Sequence, residues 1–226
     1  MSIRFDTVFL DFGGCIDAPG IHSRTLFWEA FLRAGILPDG ERSAFQEAYT
    51  EADQQMMASG EAKGMALREF NRHNGSLIGK SMGLKPAVGA SACDWVTEEM
   101  DRHLRASLPV LKELSGRAPL ALISNFTGNL EVILAEYSLR PLFQSVSESF
   151  YVGSSKPDAK IFRVALEAQG KPAEACLYVG DNPKNDIEPA RALGFKTGLI
   201  HSVGAKKECG ADFYLEKFSD LLTIVK

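Results

Sequence analysis

Val8-Phe9-Leu10-Asp11-Phe12-Gly13-Gly14-Cys15-Ile16-Asp17 decides how the chain is read. A short apolar run ends on a carboxylate, and two glycines follow at once. Such a bounded run is the pattern of a strand buried in a parallel sheet. In open α/β sheets ligands bind just beyond the carboxyl ends of the strands, where Asp11 falls. Gly13 and Gly14 let the backbone turn there and come close to a ligand. A strand-ending Asp that merely begins a turn reads the same on this stretch alone, so the remaining chain has to choose.

Working outward, residues 18–105 carry helical periodicity and no convincing strand. Phe27, Ala30, Phe31 and Ala34 share one face, and Phe45, Ala48, Tyr49, Ala52 and Met56 share another. Pro38-Asp39-Gly40 separates the two. Asn74-Gly75 predicts a break between two helices, and Cys93, Val96, Met100 and Leu104 mark a further stripe. From Leu120 the chain alternates. Leu120–Ser124 reads as strand, Leu130–Leu134 as helix, Ser145–Tyr151 as an extended piece, and Asp158–Gly170 as helix. Cys176–Val179 is a strand, Ile187–Leu193 a short helix, and Phe195–Ile200 a strand. Strand–helix alternation predicts a Rossmann-like parallel α/β sheet with helices on both faces. The expected domains are a core of residues 1–17 and 106–226 and an inserted α-helical cap of residues 18–105.

At 226 residues, 45% hydrophobic and 24% charged, the chain has the composition of a globular protein, and a net charge of −4 speaks against nucleic acid as a partner. Cys15, Cys93, Cys176 and Cys209 lack metal-ligand spacing and suit a reducing compartment. The opening residues carry Asp6 ahead of a very short apolar run, unlike a signal peptide, and no stretch reaches membrane-spanning length. The expectation is a cytoplasmic monomer or homodimer with no membrane partner.

The expected strand ends place Asp11, Ser124-Asn125 and Gly180-Asp181 on one sheet edge, with Lys156 and Asp186 nearby. Clustered carboxylates suit a hard cation, Mg²⁺ rather than zinc. Ser124 and Lys156 are donors for a phosphate, and Asp11 is a carboxylate able to attack phosphorus.

In these segments the chain resembles the haloacid dehalogenase superfamily, a phosphatase-rich group with an aspartate nucleophile. Leu10–Asp17 is similar to its first motif, Leu122-Ile123-Ser124-Asn125 to its second, Ser155-Lys156-Pro157 to its third, and Gly180–Asp186 to its fourth. The first two motifs lie 113 residues apart and the second and third only 32, so only the first gap holds a cap. The resemblance implies Asp11 as nucleophile, Ser124 and Asn125 on the substrate side, and Lys156 neutralising nucleophile and phosphate. It implies Mg²⁺ held by Asp11, the Gly13 carbonyl and Asp181, with Asp186 in support. The substrate it implies is a small phosphorylated metabolite. One departure matters: the family's phosphatases usually place a general-acid Asp two residues after the nucleophile, and here that residue is Gly13. The departure keeps other readings open: a phosphonatase using a cap lysine (Lys63, Lys80 or Lys85), a dehalogenase, or a binding protein that has lost turnover. His22 and Asp17 stand near enough in sequence to replace the missing acid.

Overall fold

The structure, a computed structural model, describes residues 3–37, 41–201 and 209–226; the expected break at residues 38–40 lies outside them. The elements run β1 (Thr7–Leu10), α1 (Ser23–Arg33), α2 (Arg42–Ser59), α3 (Leu67–Ser81), α4 (Pro86–Ala92), α5 (Asp94–Ser115), β2 (Leu120–Ser124), α6 (Leu130–Glu136), β3 (Phe143–Glu148), α7 (Ser149–Val152), α8 (Ala159–Gln169), β4 (Cys176–Gly180), α9 (Glu188–Ala192), β5 (Lys196–Ile200), β6 (Phe213–Leu215) and α10 (Leu221–Ile224). A π-helical turn, Pro183–Ile187, precedes α9.

Six parallel strands form one sheet in the order β3-β2-β1-β4-β5-β6. The side-chain alternation of a strand splits β1 between the two faces. Val8 and Leu10 join Leu111, Leu114, Ile133 and Leu134, from α5 and α6. Phe9 joins Ile161, Phe162 and Ala190, from α8 and α9. The sheet is thus covered on both sides, and polar groups collect at its carboxyl edge. β1 is central, and Leu10 is registered against Leu122 of β2 and Val179 of β4. Residues just past these three strand ends are therefore neighbours.

The chain leaves the core after β1, builds α1–α4, and returns along α5. The domain boundary expected at residue 105 falls inside α5, a continuous helix with Pro109 in its interior. Pro109 has no N–H, so the Arg105 carbonyl loses its helical partner there. Ser107 Oγ donates to the Ile16 carbonyl at 2.9 Å, stitching the outgoing and returning segments together. Between the inserted helices an aromatic cluster forms, with Phe45 edge-on to both Trp28 and Phe31 at 5.3 Å.

Two local expectations are corrected. Asn74-Gly75 does not break the chain; α3 runs through it. A Cβ on Gly75 would lie 2.5 Å from the Gly89 carbonyl oxygen, and the reverse contact would be 2.1 Å. The glycine is there for backbone-to-backbone packing of α3 on α4. The extended piece at 145–151 stops at Glu148, where Ser149 opens the turn α7. The Ser149 hydroxyl exchanges hydrogen bonds with the Phe126 backbone and closes the strand. β6 and α10 were not foreseen: three strand residues and four helical ones carry too little periodicity.

Candidate functional site

Asp11 follows β1 and is 6% exposed. Its Oδ1 accepts from the Phe12 amide at 2.7 Å and from Ser124 Oγ at 2.9 Å, and its Oδ2 pairs with Lys156 Nζ at 2.8 Å. Lys156 Nζ also pairs with Asp186 Oδ1 at 2.7 Å and reaches the Tyr178 hydroxyl at 3.1 Å. That hydroxyl donates to Asp186 Oδ1 at 2.9 Å, while Asp186 Oδ2 accepts from the Asn182 amide at 3.0 Å. Asn125 accepts from the Lys156 amide at 2.8 Å and donates to its carbonyl at 3.0 Å. Asn125, read as a substrate contact, thus also clamps the backbone that carries Lys156.

The third carboxylate, Asp181, completes a cluster with Asp11 and Asp186 in which one oxygen of each lies within 4.8 Å of the others. Glycines make room for it. A Cβ on Gly14 would fall 2.5 Å from Asp181 Oδ2, and one on Gly180 would fall 2.4 Å from Asp186 Oδ2. Gly14 also has φ +72°, a left-handed conformation that other residues resist.

Burial raises the Asp11 carboxyl to about 6 against the pull of Lys156. Burial, then Asp186 and Asp11, raise Asp181 well above the carboxylate range. Lys156 is raised, because Asp11 and Asp186 outweigh its desolvation. Three buried carboxylates face one lysine that pairs with only two of them, so the ionised cluster has an excess of two negative charges. An all-oxygen donor set with that excess fits a hard divalent cation. The residues that would hold it are the three aspartates, with the Gly13 carbonyl as the fourth candidate.

Above the cluster opens a cavity of about 250 Å³ whose floor includes Asp11, Ser124, Lys156 and Asp181. Its wall comes from the inserted helices: His22, Ser23, Arg24, Tyr49, Thr50 and Asp53. His22 also caps α1, its Nδ1 accepting from the Arg24 amide at 3.2 Å. A Cβ on Gly13 would meet nothing within 4 Å, so that position opens on free space. Asp17 is buried, accepts from the Gly14 amide at 2.7 Å through Oδ1, and is raised by burial to about 7. Cys15 packs at 0% exposure with its thiol raised by burial, so it is a core residue. Among the described residues no cap lysine lines the cavity; Lys63 Nζ instead sits 4.7 Å from the Phe150 ring centroid.

Sequence reasoning overlooked Tyr178, Arg24, Tyr49 and Asp53. Tyr178 could have been found, because a phenol on a fully buried strand has to find a polar partner. Tyr49 and Asp53 lie one helical turn apart, a spacing visible in the sequence, but nothing there says that their face looks onto a cavity.

A family model described as haloacid dehalogenase-like hydrolase matches residues 5–194. The chain is 31% identical over 139 residues to the Rhythmically expressed gene 2 protein of Drosophila melanogaster, covering 60% of this chain and 48% of that protein. It is 34% identical over 97 residues to the glyceraldehyde 3-phosphate phosphatase of Methanocaldococcus jannaschii, covering 41% of this chain and 42% of that one. The chain thus spans about half the length of these curated relatives. A dehalogenase solved with an intermediate complex superposes with a TM-score of 0.68 at 13% identity, covering 100% of both chains, which is a likeness of fold.

Proposed function

Because the chain belongs to the haloacid dehalogenase-like hydrolase family, we propose that it is a Mg²⁺-dependent phosphatase acting on a small phosphorylated metabolite in the cytoplasm. The observation that carries this reading is the cluster of Asp11, Asp181 and Asp186 around a single lysine. A carboxylate attacking carbon needs no pair of metal-binding aspartates beside it. A carboxylate attacking a dianionic phosphate needs the site's negative charge offset first.

Asp11 is the nucleophile, fixed by the Phe12 amide, Ser124 and Lys156 so that its side chain has one orientation. Lys156 keeps it ionised and, with the Ser124 hydroxyl, is placed to neutralise and hold the phosphoryl group. Bound Mg²⁺ would supply the positive charge that the excess carboxylates leave missing. Attack of an Asp11 oxygen on phosphorus forms the Asp11 acyl phosphate and breaks the bond to the leaving oxygen, which takes its proton from water. A second water then hydrolyses the acyl phosphate to inorganic phosphate and free Asp11. Gly13 offers no proton to the departing oxygen, so good leaving groups should turn over best. Residues 18–105 act as the cap, a lid on the core of residues 1–17 and 106–226, and closure of the cap excludes water from the cavity.

The test is release of inorganic phosphate from a panel of phosphorylated metabolites, with Mg²⁺ and with EDTA. Mg²⁺-dependent phosphate release is expected. Halide release from 2-haloacids in EDTA, with no phosphate release from any ester, would overturn the proposal in favour of a dehalogenase.

A further inference from the structure

The cavity floor is crowded with acceptors, and its wall carries a cation that pairs with no carboxylate among the described residues. Arg24, half-buried on α1, has no carboxylate within ion-pair distance among the described residues, and its Nε is buried without a hydrogen-bond partner. Its guanidinium carbon lies 5.8 Å from the Tyr49 ring centroid, which holds the side chain in place without using its donors. Arg24 lines the cavity and also two hollows beside it, formed by Thr25, Trp28, Gln46 and Glu47 among others. It therefore stands at the outer end of the cavity, away from the sheet edge. Beside it Asp53 is accessible from the cavity, and the Ser23 and Tyr49 hydroxyls are paired at 3.0 Å.

We propose that Arg24 is the specificity residue for a leaving group that carries a second acidic group, a carboxylate or a second phosphate, on a short polar carbon chain. The proposal rests on the phosphatase reading for the reaction, though not for the binding it describes. With the phosphoryl group over Asp11, the leaving group has to run along the wall toward Arg24, whose fork of donors matches a planar carboxylate or a phosphate. Asp53 and the Ser23–Tyr49 pair then face the chain between the two anions, as acceptor and donors for its hydroxyls. A cavity of about 250 Å³ lies just below the usual span of ligand sites, about 300–1,000 Å³. The chain between the anions is accordingly only a few carbons long.

Calorimetry at saturating Mg²⁺ tests this without turnover, using ethylphosphonate, phosphonoacetate and methylenediphosphonate as probes. Phosphonoacetate or methylenediphosphonate should bind at least tenfold more tightly than ethylphosphonate, and whichever is tighter identifies the second anion. Arg24→Gln should bring that ratio below threefold, and Arg24→Lys should restore part of it. Equal binding of the three probes to the wild-type protein, or an unchanged ratio in Arg24→Gln, would overturn the proposal. If Arg24→Gln fails to fold, the wild-type ratio and the Lys variant still decide it. Absence of phosphate release from every ester would defeat the phosphatase reading and leave this binding result standing.

Discussion

The sheet edge and the cap wall enclose one cavity but are built on opposite terms. At the edge, Asp11, Lys156 and Asp186 each have two or more partners within the protein. Their positions are fixed before any ligand arrives, as catalysis requires of charges that must not reorganise. On the wall, the Arg24 guanidinium and the Asp53 carboxylate face each other's field without pairing. The edge uses its interactions to fix geometry, while Arg24 and Asp53 on the wall keep their charges for what binds. One half of the site should therefore respond to substitution in rate and stability, the other in selectivity.

The hardest blow to the edge is Asp11→Asn, which keeps the shape but removes the proposed nucleophile and a charge. Turnover should fall by roughly 10³-fold or more, with the fold retained by circular dichroism. Since Asn still accepts from Ser124 and Phe12, an active Asn variant would move the nucleophile elsewhere.

Gly13→Asp asks whether the edge lacks a general acid. Its Cβ enters open space, so the substitution should be accommodated. A positioned acid is worth roughly 10²–10⁴ in rate. Simple alkyl phosphates should gain toward that range while aryl phosphates gain little. Equal rates across leaving groups in the wild type would show that a wall residue already supplies the proton.

Next in size is the pH dependence of stability set by Asp17, measured in EDTA by urea unfolding. Its carboxyl, ordinarily near 3.8, is raised to about 7 by burial. Between those values the folded state binds the proton and the unfolded state does not. The contribution of Asp17 is thus fully present below about pH 4 and is lost as pH rises toward 7. The loss is of the order of 4 kcal/mol. Asp17→Asn should flatten that slope, and an unchanged slope would mean that the cluster beyond Asp17 carries it.

The edge was legible in the sequence because strand ends in a parallel sheet are forced together. Once Val8–Leu10, Leu120–Ser124 and Cys176–Val179 read as strands, Asp11, Ser124 and Asp181 had to be neighbours. Residues 74–75 misled because Asn-Gly is a turn signal wherever local preference decides, and here the packing of α3 on α4 decides instead. The wall was illegible for a different reason. A polar helix face looks the same in sequence whether it meets water or a cavity, and only the path of α1 and α2 over the sheet distinguishes Arg24 and Asp53 from ordinary surface charges.

The smallest expected effect probes how much redundancy the edge holds. Tyr178→Phe removes a hydroxyl that takes a hydrogen bond from Lys156 and gives one to Asp186. The ring still fills its place on β4 against Phe162, at a centroid distance of 5.2 Å. Lys156 and Asp186 keep their direct contact at 2.7 Å, so neither charge is left alone. Two hydrogen bonds to charged groups are lost, but Lys156 and Asp186 keep each other. The net cost should therefore not exceed that of one such bond, about 1.5–3 kcal/mol, read as a shift in the urea midpoint. Asp186 also loses one of the groups that orient it, and outer partners of this kind typically change metal affinity 10–100-fold. Because Lys156 and the Asn182 amide still hold Asp186, the apparent Mg²⁺ requirement should rise by less than that range. A rise beyond it would make Tyr178 the principal support of Asp186, and the edge would then be less redundant than its hydrogen bonds suggest.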